Sequence, residues 1–274
     1  MDSAYETSLV AKGLWSAGIV LCLTAVAERV STRVAGTLSG APLSAVLLYF
    51  FVGRDMGTPF VVESVPHGIA AFSATLAFVL AYYKASSWLT RFVPFGSALF
   101  AVAVFLVVAG GLAAIPFTLI TATLTTSCVI VFAVWHFRKI EFIPVSKPVR
   151  YTLPLLLVRG GLSAALIVGV IALAEALGPR WTGLLAGFPS TLLPTLVIIH
   201  MTYGTANTHA MIRNFPVGMG SIVLYILSIA FTFPLWGVSG GTAASLAVSL
   251  LYLTVIMLWI KARPIPQTER TPLH

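Results

Sequence analysis

The sequence predicts an all-α polytopic membrane protein with about nine transmembrane helices, arranged as 4+1+4 inverted-topology repeats. Three observations lead to this fold: an apolar composition, a series of apolar runs of membrane-spanning length, and one residue pattern that occurs twice. The chain has 274 residues, of which 58% are hydrophobic and 9% are charged, and its mean hydropathy is +0.99. Since a soluble domain carries about 25% charged residues, this composition indicates an integral membrane protein.

The apolar runs are each close to the ~20 residues that a helix needs to cross the ~30 Å hydrocarbon core. The uncharged segment 95–137 is too long for one crossing, and "AGGLAAIP" at 109–116 supplies a turn within it. The first run is expected to remain in the protein, because acidic residues precede Lys12 and no small-residue cleavage site follows. The predicted spans are 9–28, 35–53, 66–84, 94–110, 114–137, 153–177, 182–203, 214–235 and 238–261.

The basic residues indicate the orientation in the membrane. When the loops are assigned to alternate sides, only Lys12, Arg54 and Arg180 of the 16 lysines and arginines fall on the poorer side. Because short cytoplasmic loops are rich in Lys and Arg, the N-terminus is predicted outside and the C-terminal tail inside. The formal net charge of +8 then suits a bilayer with anionic headgroups and requires no nucleic-acid partner.

One pattern of helix-breaking residues occurs twice at an offset of 147 residues. It is "AGTLSGAP" at 35–42 in the first half and lies within "TGLLAGFPSTLLPT" at 182–195 in the second. Because five crossings separate the copies, the second enters the membrane from the opposite side. The predicted organisation is a four-helix repeat at 1–112, a linking helix with a cytoplasmic loop at 113–150, and a second four-helix repeat with a cytoplasmic tail at 151–274. The same offset pairs Lys12 with Arg159, Glu28 with Glu175, Arg33 with Arg180, Pro42 with Pro189 and Gly57 with Gly204.

The prolines and glycines inside the spans 35–53 and 182–203 predict two broken helices. Inverted repeats with interrupted helices at matching positions are typical of a transporter's central site. The free N–H groups at the start of a half-helix attract anions, so we expect an anionic or polar substrate. The predicted substrate-binding residues are Ser39, Gly40, Pro42, Ser44, Gly187, Pro189, Ser190, Thr191 and Thr195, with Arg159 as a further candidate.

The glycines have a second interpretation. Gly36 with Gly40, and Gly183 with Gly187, have the four-residue spacing that lets membrane helices pack closely. The matched prolines and neighbouring hydroxyl groups favour the broken-helix interpretation. Arg159 likewise has two interpretations, since it either extends to the headgroups or binds a substrate anion.

Glu28 and Glu175 occupy matched positions within or at the ends of apolar spans. An ionisable residue in a membrane span is a functional hypothesis by default, and we predict that these two couple transport to protons. The alternative is that each marks a helix end beside an arginine. His67 and His200 are expected to be interfacial residues, with a proton role left open by the near-neutral titration of histidine. Aromatic residues near span ends are predicted to form an interfacial belt of Tyr82, Tyr83, Trp88, Trp181 and Trp236.

No HExxH, Walker A or CxxC motif is present, so an enzyme is the weaker functional class. Cys22 and Cys128 lie in apolar runs without a partner at metal-ligand spacing. We therefore expect no catalytic residue, no metal and no cofactor.

The second half resembles the GlpM-type family of small bacterial inner-membrane proteins. The resemblance is carried by "GLLAGFP" at 183–189, "PTLVIIHMTYG" at 194–204 and "FPVGMGSIVLYILS" at 215–228. The chain departs from the family pattern at Gly220, where the family has tryptophan, and at Leu224-Tyr225, where it has Pro-Tyr. The resemblance implies a bacterial inner-membrane location and a link to export of cell-surface polysaccharide or its lipid carrier.

The sequence therefore predicts a secondary transporter of a small anionic or polar solute, working by alternating access with proton coupling. One alternative is a flippase for an anionic lipid carrier such as a polyprenyl phosphate, which would open sideways to the bilayer. Another is a non-transporting membrane subunit of a cell-envelope polysaccharide biosynthesis complex. The expected partners are the small or lipid-linked substrate and the bilayer, and a homodimer is an arrangement that the sequence allows.

Overall fold

The computed structural model describes residues 42–140 and 176–262, together with the pairs 161–162, 165–166, 168–169 and 172–173. Within these residues every regular element is an α-helix. In chain order the helices are α1 (Leu43–Met56), α2 (Thr58–Trp88), α3 (Val93–Ala113), α4 (Leu119–Phe137), α5 (Pro179–Ala186) and α6 (Leu192–Ala262).

Glycines with extended backbone at positive φ divide the longest helical stretches. Gly204 (φ 79°, ψ 179°) and Gly237 (φ 66°, ψ −176°) break α6 into three segments, α6a at 192–203, α6b at 205–236 and α6c at 238–262. Gly57 (φ 86°, ψ 166°) separates α1 from α2 in the same way. This region of backbone conformation is essentially restricted to glycine, so each of these residues sets a helix boundary that the apolar composition does not indicate.

Helix α2 lies at the centre of the described helices and contacts all five others. Most of its residues are buried, whereas α3, α4 and α6c expose many large apolar side chains. Such a surface is costly in water but suits lipid tails. The most exposed of these side chains include Leu99, Val107, Ile120, Val131, Trp135 and Leu251.

Four helices of the described part are long and apolar enough to cross a membrane, and they are α2, α3, α4 and Leu192–Leu258 within α6. These helices agree with the predicted all-helical membrane protein. The predicted span 9–28 and most of 153–177 lie outside the described residues. The total of nine crossings and the repeat arrangement therefore stay predictions.

The predicted turn between two crossings in the segment 95–137 is confirmed, since α3 ends at Ala113 and α4 begins at Leu119. Thr118 caps α4 by accepting a hydrogen bond from Thr121 N, and its own N–H donates to Thr121 Oγ1 at 2.9 Å. This reciprocal pair satisfies donors that would otherwise be free at the helix start.

The predicted loop at 54–65 is wrong in its extent, because α2 begins at Thr58 rather than at residue 66. The apolar residues after Gly57 continue directly into the helix, and Pro66 lies inside it. Helix α1 has 14 residues, which corresponds to about 21 Å of helix and is too short to cross the hydrocarbon core alone.

Two ends of the helix assembly can be distinguished. At one end Arg180 Nη1 donates to the carbonyl of Ala113 at 3.0 Å, which joins the start of α5 to the α3–α4 turn. We term this the Arg180 end. At the opposite end the last turns of α2 contact the junction of α6a and α6b through Tyr82 and His200, and we term this the His200 end.

Candidate functional site

The predicted helix break at Pro189 is present. Helix α5 ends at Ala186 and α6a begins at Leu192, with residues 187–191 forming turns between them. The N–H groups of Gly187 and Phe188 donate back to Leu184 and Leu185 at 3.2 and 2.9 Å. The chain thus ends one helix and starts another within five residues.

The break packs tightly against α2. A Cβ on Gly187 would lie 2.5 Å from Cβ of Ala71, and one on Gly183 would overlap the carbonyl oxygen of Ser64. Both glycines therefore allow close helix packing, as the second interpretation of their spacing predicts. The break and the close packing coexist in the same stretch of chain.

A hydroxyl group of α2 satisfies the backbone at the break. Thr75 Oγ1 donates to the carbonyl of Gly187 at 2.6 Å, and it also lies 3.2 Å from the carbonyl of Ala71 in its own helix. The carbonyl of Gly187 cannot continue the α-helical pattern, because the chain turns away there. Thr75 therefore supplies the polar partner that an interrupted helix needs inside a membrane.

The predicted substrate-binding residues of the second half lie together around this break. Pro189, Ser190 and Thr195 are buried, and Thr191 is half-buried. Thr195 Oγ1 donates to the carbonyl of Thr191 at 2.6 Å, so this hydroxyl bonds within its own segment. Beside them the ring of Phe188 meets that of Phe105 edge-on, with centroids 5.3 Å apart.

In the first half the described residues begin at Pro42, which is buried and precedes α1, and Ser44 is half-buried in the first turn of that helix. The predicted residues that lie outside the described part are Ser39, Gly40, Arg159, Glu28 and Glu175.

The two prolines that share the 147-residue offset accept matching backbone hydrogen bonds. Val46 N donates to the carbonyl of Pro42 at 2.8 Å, and Leu193 N donates to the carbonyl of Pro189 at 2.8 Å. These two bonds also fall at the same offset, because 42 + 147 = 189 and 46 + 147 = 193. Pro42 immediately precedes α1, whereas α6a begins three residues after Pro189, at Leu192.

A cluster of polar side chains occupies the His200 end. His200 Nδ1 lies 3.2 Å from Tyr82 Oη, and His200 Nε2 lies 3.1 Å from Thr205 Oγ1. Both ring nitrogens therefore have hydroxyl partners, one on α2 and one on the first residue of α6b. His200 is only 6% exposed, and Tyr82 is fully buried.

A second histidine lies beside this group. His209 Nε2 is 2.8 Å from Ser86 Oγ, and the imidazole packs edge-on against the ring of Tyr83 at a centroid distance of 4.5 Å. We term His200, His209, Tyr82, Ser86 and Thr205 the histidine cluster. It joins the last turns of α2 to both sides of the Gly204 break.

One residue of the histidine cluster, Tyr82, does not have the environment that the sequence predicts. Tyr82 was predicted to belong to the interfacial belt, but it is buried and contacts His200. Trp88 and Trp236 are 69% and 61% exposed at helix ends, as belt residues would be. The one available signal was the four-residue spacing of Tyr82 and Ser86, which places two hydroxyl groups on one face of α2.

His67 has a different environment. Its Nε2 lies 3.2 Å from the carbonyl of Ile115, and its ring meets Phe117 edge-on. A carbonyl oxygen only accepts, so this nitrogen must carry a hydrogen. His67 therefore holds the α3–α4 turn against α2 near the Arg180 end.

No protein-family model, curated protein or solved structure matches the chain. The resemblance to GlpM-type proteins accordingly stays a prediction from the residues that carry it.

Proposed function

We propose that the protein is a secondary transporter of inverted-repeat architecture in a bacterial inner membrane, which moves a small anionic or polar solute by alternating access coupled to protons. The observation that carries the proposal is the correspondence of backbone features at one offset. Each of the matched prolines accepts a hydrogen bond from the N–H four residues later, and the matched Gly57 and Gly204 have nearly the same φ and ψ.

The positions of the matched glycines support inversion of the two units. Gly57 immediately precedes the first residue of α2, whereas Gly204 lies between His200 and Thr205, which are joined to Tyr82 near the other end of α2. From residue 58 to residue 82 an α-helix rises about 36 Å. Equivalent glycines therefore sit near opposite ends of one helix, which is the arrangement that an inverted repeat requires.

An interrupted helix at Pro189 supports a solute site at that break. The chain places a helix start, two buried hydroxyl-bearing residues and a proline in one short stretch. In transporters with inverted repeats, such breaks form the binding site, and the start of the inner half-helix favours anions. In this proposal α4 is the linking helix between the repeats.

The distribution of basic residues supports a cytoplasmic location for the His200 end. Helix α4 begins just after the α3–α4 turn, which lies at the Arg180 end, so α4 continues toward the His200 end as α2 does. Positive residues in short loops mark the cytoplasmic side. Those near the His200 end are Lys84, Arg91, Arg138, Lys139 and Arg213, against Arg54 and Arg180 at the other end.

The proposal predicts proton-linked solute entry into proteoliposomes. Vesicles containing the pH dye pyranine would be challenged in turn with inorganic phosphate, sulfate, dicarboxylates and sugar phosphates. We expect at least one solute to acidify the lumen. Pro189→Ala and Pro42→Ala should each lower that rate by about tenfold or more, because alanine favours a continuous helix over proline by about 3 kcal/mol.

Pro59→Ala is the matched control, since Pro59 is an exposed proline in the first turn of α2, where proline is readily tolerated. It should transport at the unmodified rate. Unchanged flux in both the Pro42 and Pro189 variants would show that the break is not part of the solute site. Vesicles that acidify with none of the solutes would contradict proton-coupled transport of this solute class.

A further inference from the structure

The histidine cluster spans a junction between two helical segments. His200 lies in the last turn of α6a, and Thr205 is the first residue of α6b, so the hydrogen bond between them crosses Gly204. Tyr82 attaches the same imidazole to α2. A change in the charge of His200 would therefore act on three helical segments at once.

We propose that His200 is the group that takes up and releases the coupled proton, and that Tyr82 and Thr205 hold its imidazole in both charge states. This inference rests on the proposed function, because it names the proton site of that transporter. The sequence predicts proton coupling at Glu28 and Glu175. This inference adds a proton site that lies within the described residues.

The hydroxyl partners suit both forms of the ring. A neutral imidazole donates through one nitrogen and accepts through the other, whereas an imidazolium donates through both. When a proton adds to the accepting nitrogen, the hydroxyl that had donated to it turns its hydrogen away and accepts instead. No heavy atom has to move for this exchange. The carbonyl of Ile115 that bonds His67 cannot reverse its role in this way, because it has no hydrogen to donate.

His209 limits the cluster to one proton at a time. Tyr82 and Ser86 are four residues apart on α2, so their histidine partners lie about one helical turn from each other. Two positive imidazoles at that separation repel each other. Ser86 Oγ donates to the carbonyl of Tyr83 at 2.8 Å, which leaves a lone pair for the N–H of His209.

The surrounding ionisable groups also favour a single positive charge in the histidine cluster. Tyr83 and Lys84 lie beside the cluster on α2, with Lys84 Nζ 5.9 Å from the ring centroid of Tyr83. On α6 the neighbours in the chain are Tyr203 and Arg213, the latter one turn beyond His209. The acids of the described residues, Asp55 and Glu63, both lie toward the Arg180 end of α2. A described carboxylate is therefore not available to compensate a second charge.

The location of His200 links it to the solute break. Both ends of α6a carry a proposed site, because the segment begins three residues after Pro189 and ends at residue 203, three residues after His200. From residue 192 to residue 200 the helix rises about 12 Å. A proton taken up at one end can therefore shift the whole segment and change access to the break at the other.

The first test needs no knowledge of the solute. Cys22 and Cys128 are replaced by serine, and Ser190→Cys is introduced at the break, where Ser190 is 3% exposed. The maleimide labelling rate is measured in proteoliposomes from about pH 5 to about pH 8, the range in which imidazole changes charge. Rates are normalised to those of Thr90→Cys, an exposed position outside α6 that corrects for ionisation of the thiol.

In the Ser190→Cys protein without a further substitution, termed the parent, we expect the normalised rate to change at least threefold with pH. After His200→Gln is added, the rate should be independent of pH. His67→Gln should keep the dependence. Tyr82→Phe, which retains the imidazole and the ring packing, should shift its midpoint. A pH-dependent rate that persists in a monodisperse His200→Gln protein would overturn the inference, as would a pH-independent parent.

A second test separates this inference from the transporter proposal. With a solute that acidifies wild-type vesicles, His200→Gln should retain counterflow exchange of that solute and lose the acidification. Acidification at the wild-type rate would refute the role of His200 and leave the transporter intact. If no solute acidifies the wild type, the proposed function fails, whereas labelling at Ser190→Cys that depends on both pH and His200 would still support a proton site.

Discussion

Residues 42–88 and 189–236 have similar backbones but different chemistry. Each begins with a proline that accepts a hydrogen bond from the N–H four residues later, continues as a short helix, breaks at a glycine of positive φ and extends into a long helix. We term these the first and second units. Their shared backbone follows from prolines and glycines at the same offset, so local residue identity is sufficient to produce it.

The side chains near the glycine breaks differ between the units. The offset pairs Gly53 with His200, Tyr82 with Ile229 and Ser86 with Phe233. A Cβ on Gly53 would lie 3.1 Å from both methyl carbons of Val238 and 3.4 Å from the ring of Phe233. The Arg180 end therefore has an apolar contact where the His200 end has hydrogen-bonded imidazole. At this matched position the common backbone thus carries an apolar contact in the first unit and a hydrogen-bonded imidazole in the second.

The largest effect is expected from placing the polar residue of the second unit in the first. Gly53→His would force an imidazole against Val238 and Phe233, where overpacking and an unpaired polar group together cost about 2–6 kcal/mol. We expect a large loss of thermal stability in detergent or no folded protein. Gly53→Ala is the control and should change stability far less. A stable Gly53→His protein would mean that the two ends are chemically interchangeable.

An intermediate effect is expected at the glycine breaks. Gly57→Ala and Gly204→Ala should each cost about 1–3 kcal/mol, because both place a Cβ on backbone that is essentially restricted to glycine. Neither added Cβ would meet an atom closer than 3.7 Å, so strain rather than crowding causes the loss. The measurement is the unfolding temperature in detergent.

Gly110→Ala provides the control for both breaks. Gly110 lies within α3, and its added Cβ would meet nothing within 4 Å. Alanine is more favourable than glycine inside a helix by about 0.8–1.0 kcal/mol, so stability should be equal or slightly higher. If Gly57→Ala and Gly204→Ala differed strongly from each other, the equivalence of the two breaks would be lost.

A matched pair of cysteine substitutions is expected to have the smallest effect on stability. The same pair tests the topology most directly. Asp55→Cys and Thr202→Cys are exposed positions at the 147-residue offset, where substitutions are expected to cost less than at the packed and strained glycines. In cells lacking the native cysteines, a membrane-impermeant maleimide should label Asp55→Cys from outside and Thr202→Cys only after permeabilisation. Labelling of both positions from the same side would contradict inverted units.

Local residue identity was enough to predict much of the described fold. The apolar runs indicated membrane helices, the "AGGLAAIP" stretch indicated the α3–α4 turn, and Pro189 indicated the helix break. These features depend on residues within a few positions of each other. The start of α2 was misplaced by eight residues, since nothing in the residues after Gly57 distinguishes a loop from an apolar helix.

The candidate site was predictable only in part. The break residues from Gly187 to Thr195 lie together as expected, because they belong to one continuous stretch. The partner of Gly187 is Thr75, which is 112 residues away, and no periodicity in the sequence connects the two. Tyr82 was assigned to the membrane interface because its chain position near a span end is the same whether its ring faces headgroups or another helix.

The sequence by itself determined that the chain is apolar and helical and that a helix breaks at Pro189, since hydropathy and proline geometry act locally. The tertiary structure alone decided that Tyr82 bonds His200 across 118 residues and that α2 is buried among the other helices. Each side chain can find a partner only on the helix that packing places against it. That choice of neighbour depends on the shape of all the helices together.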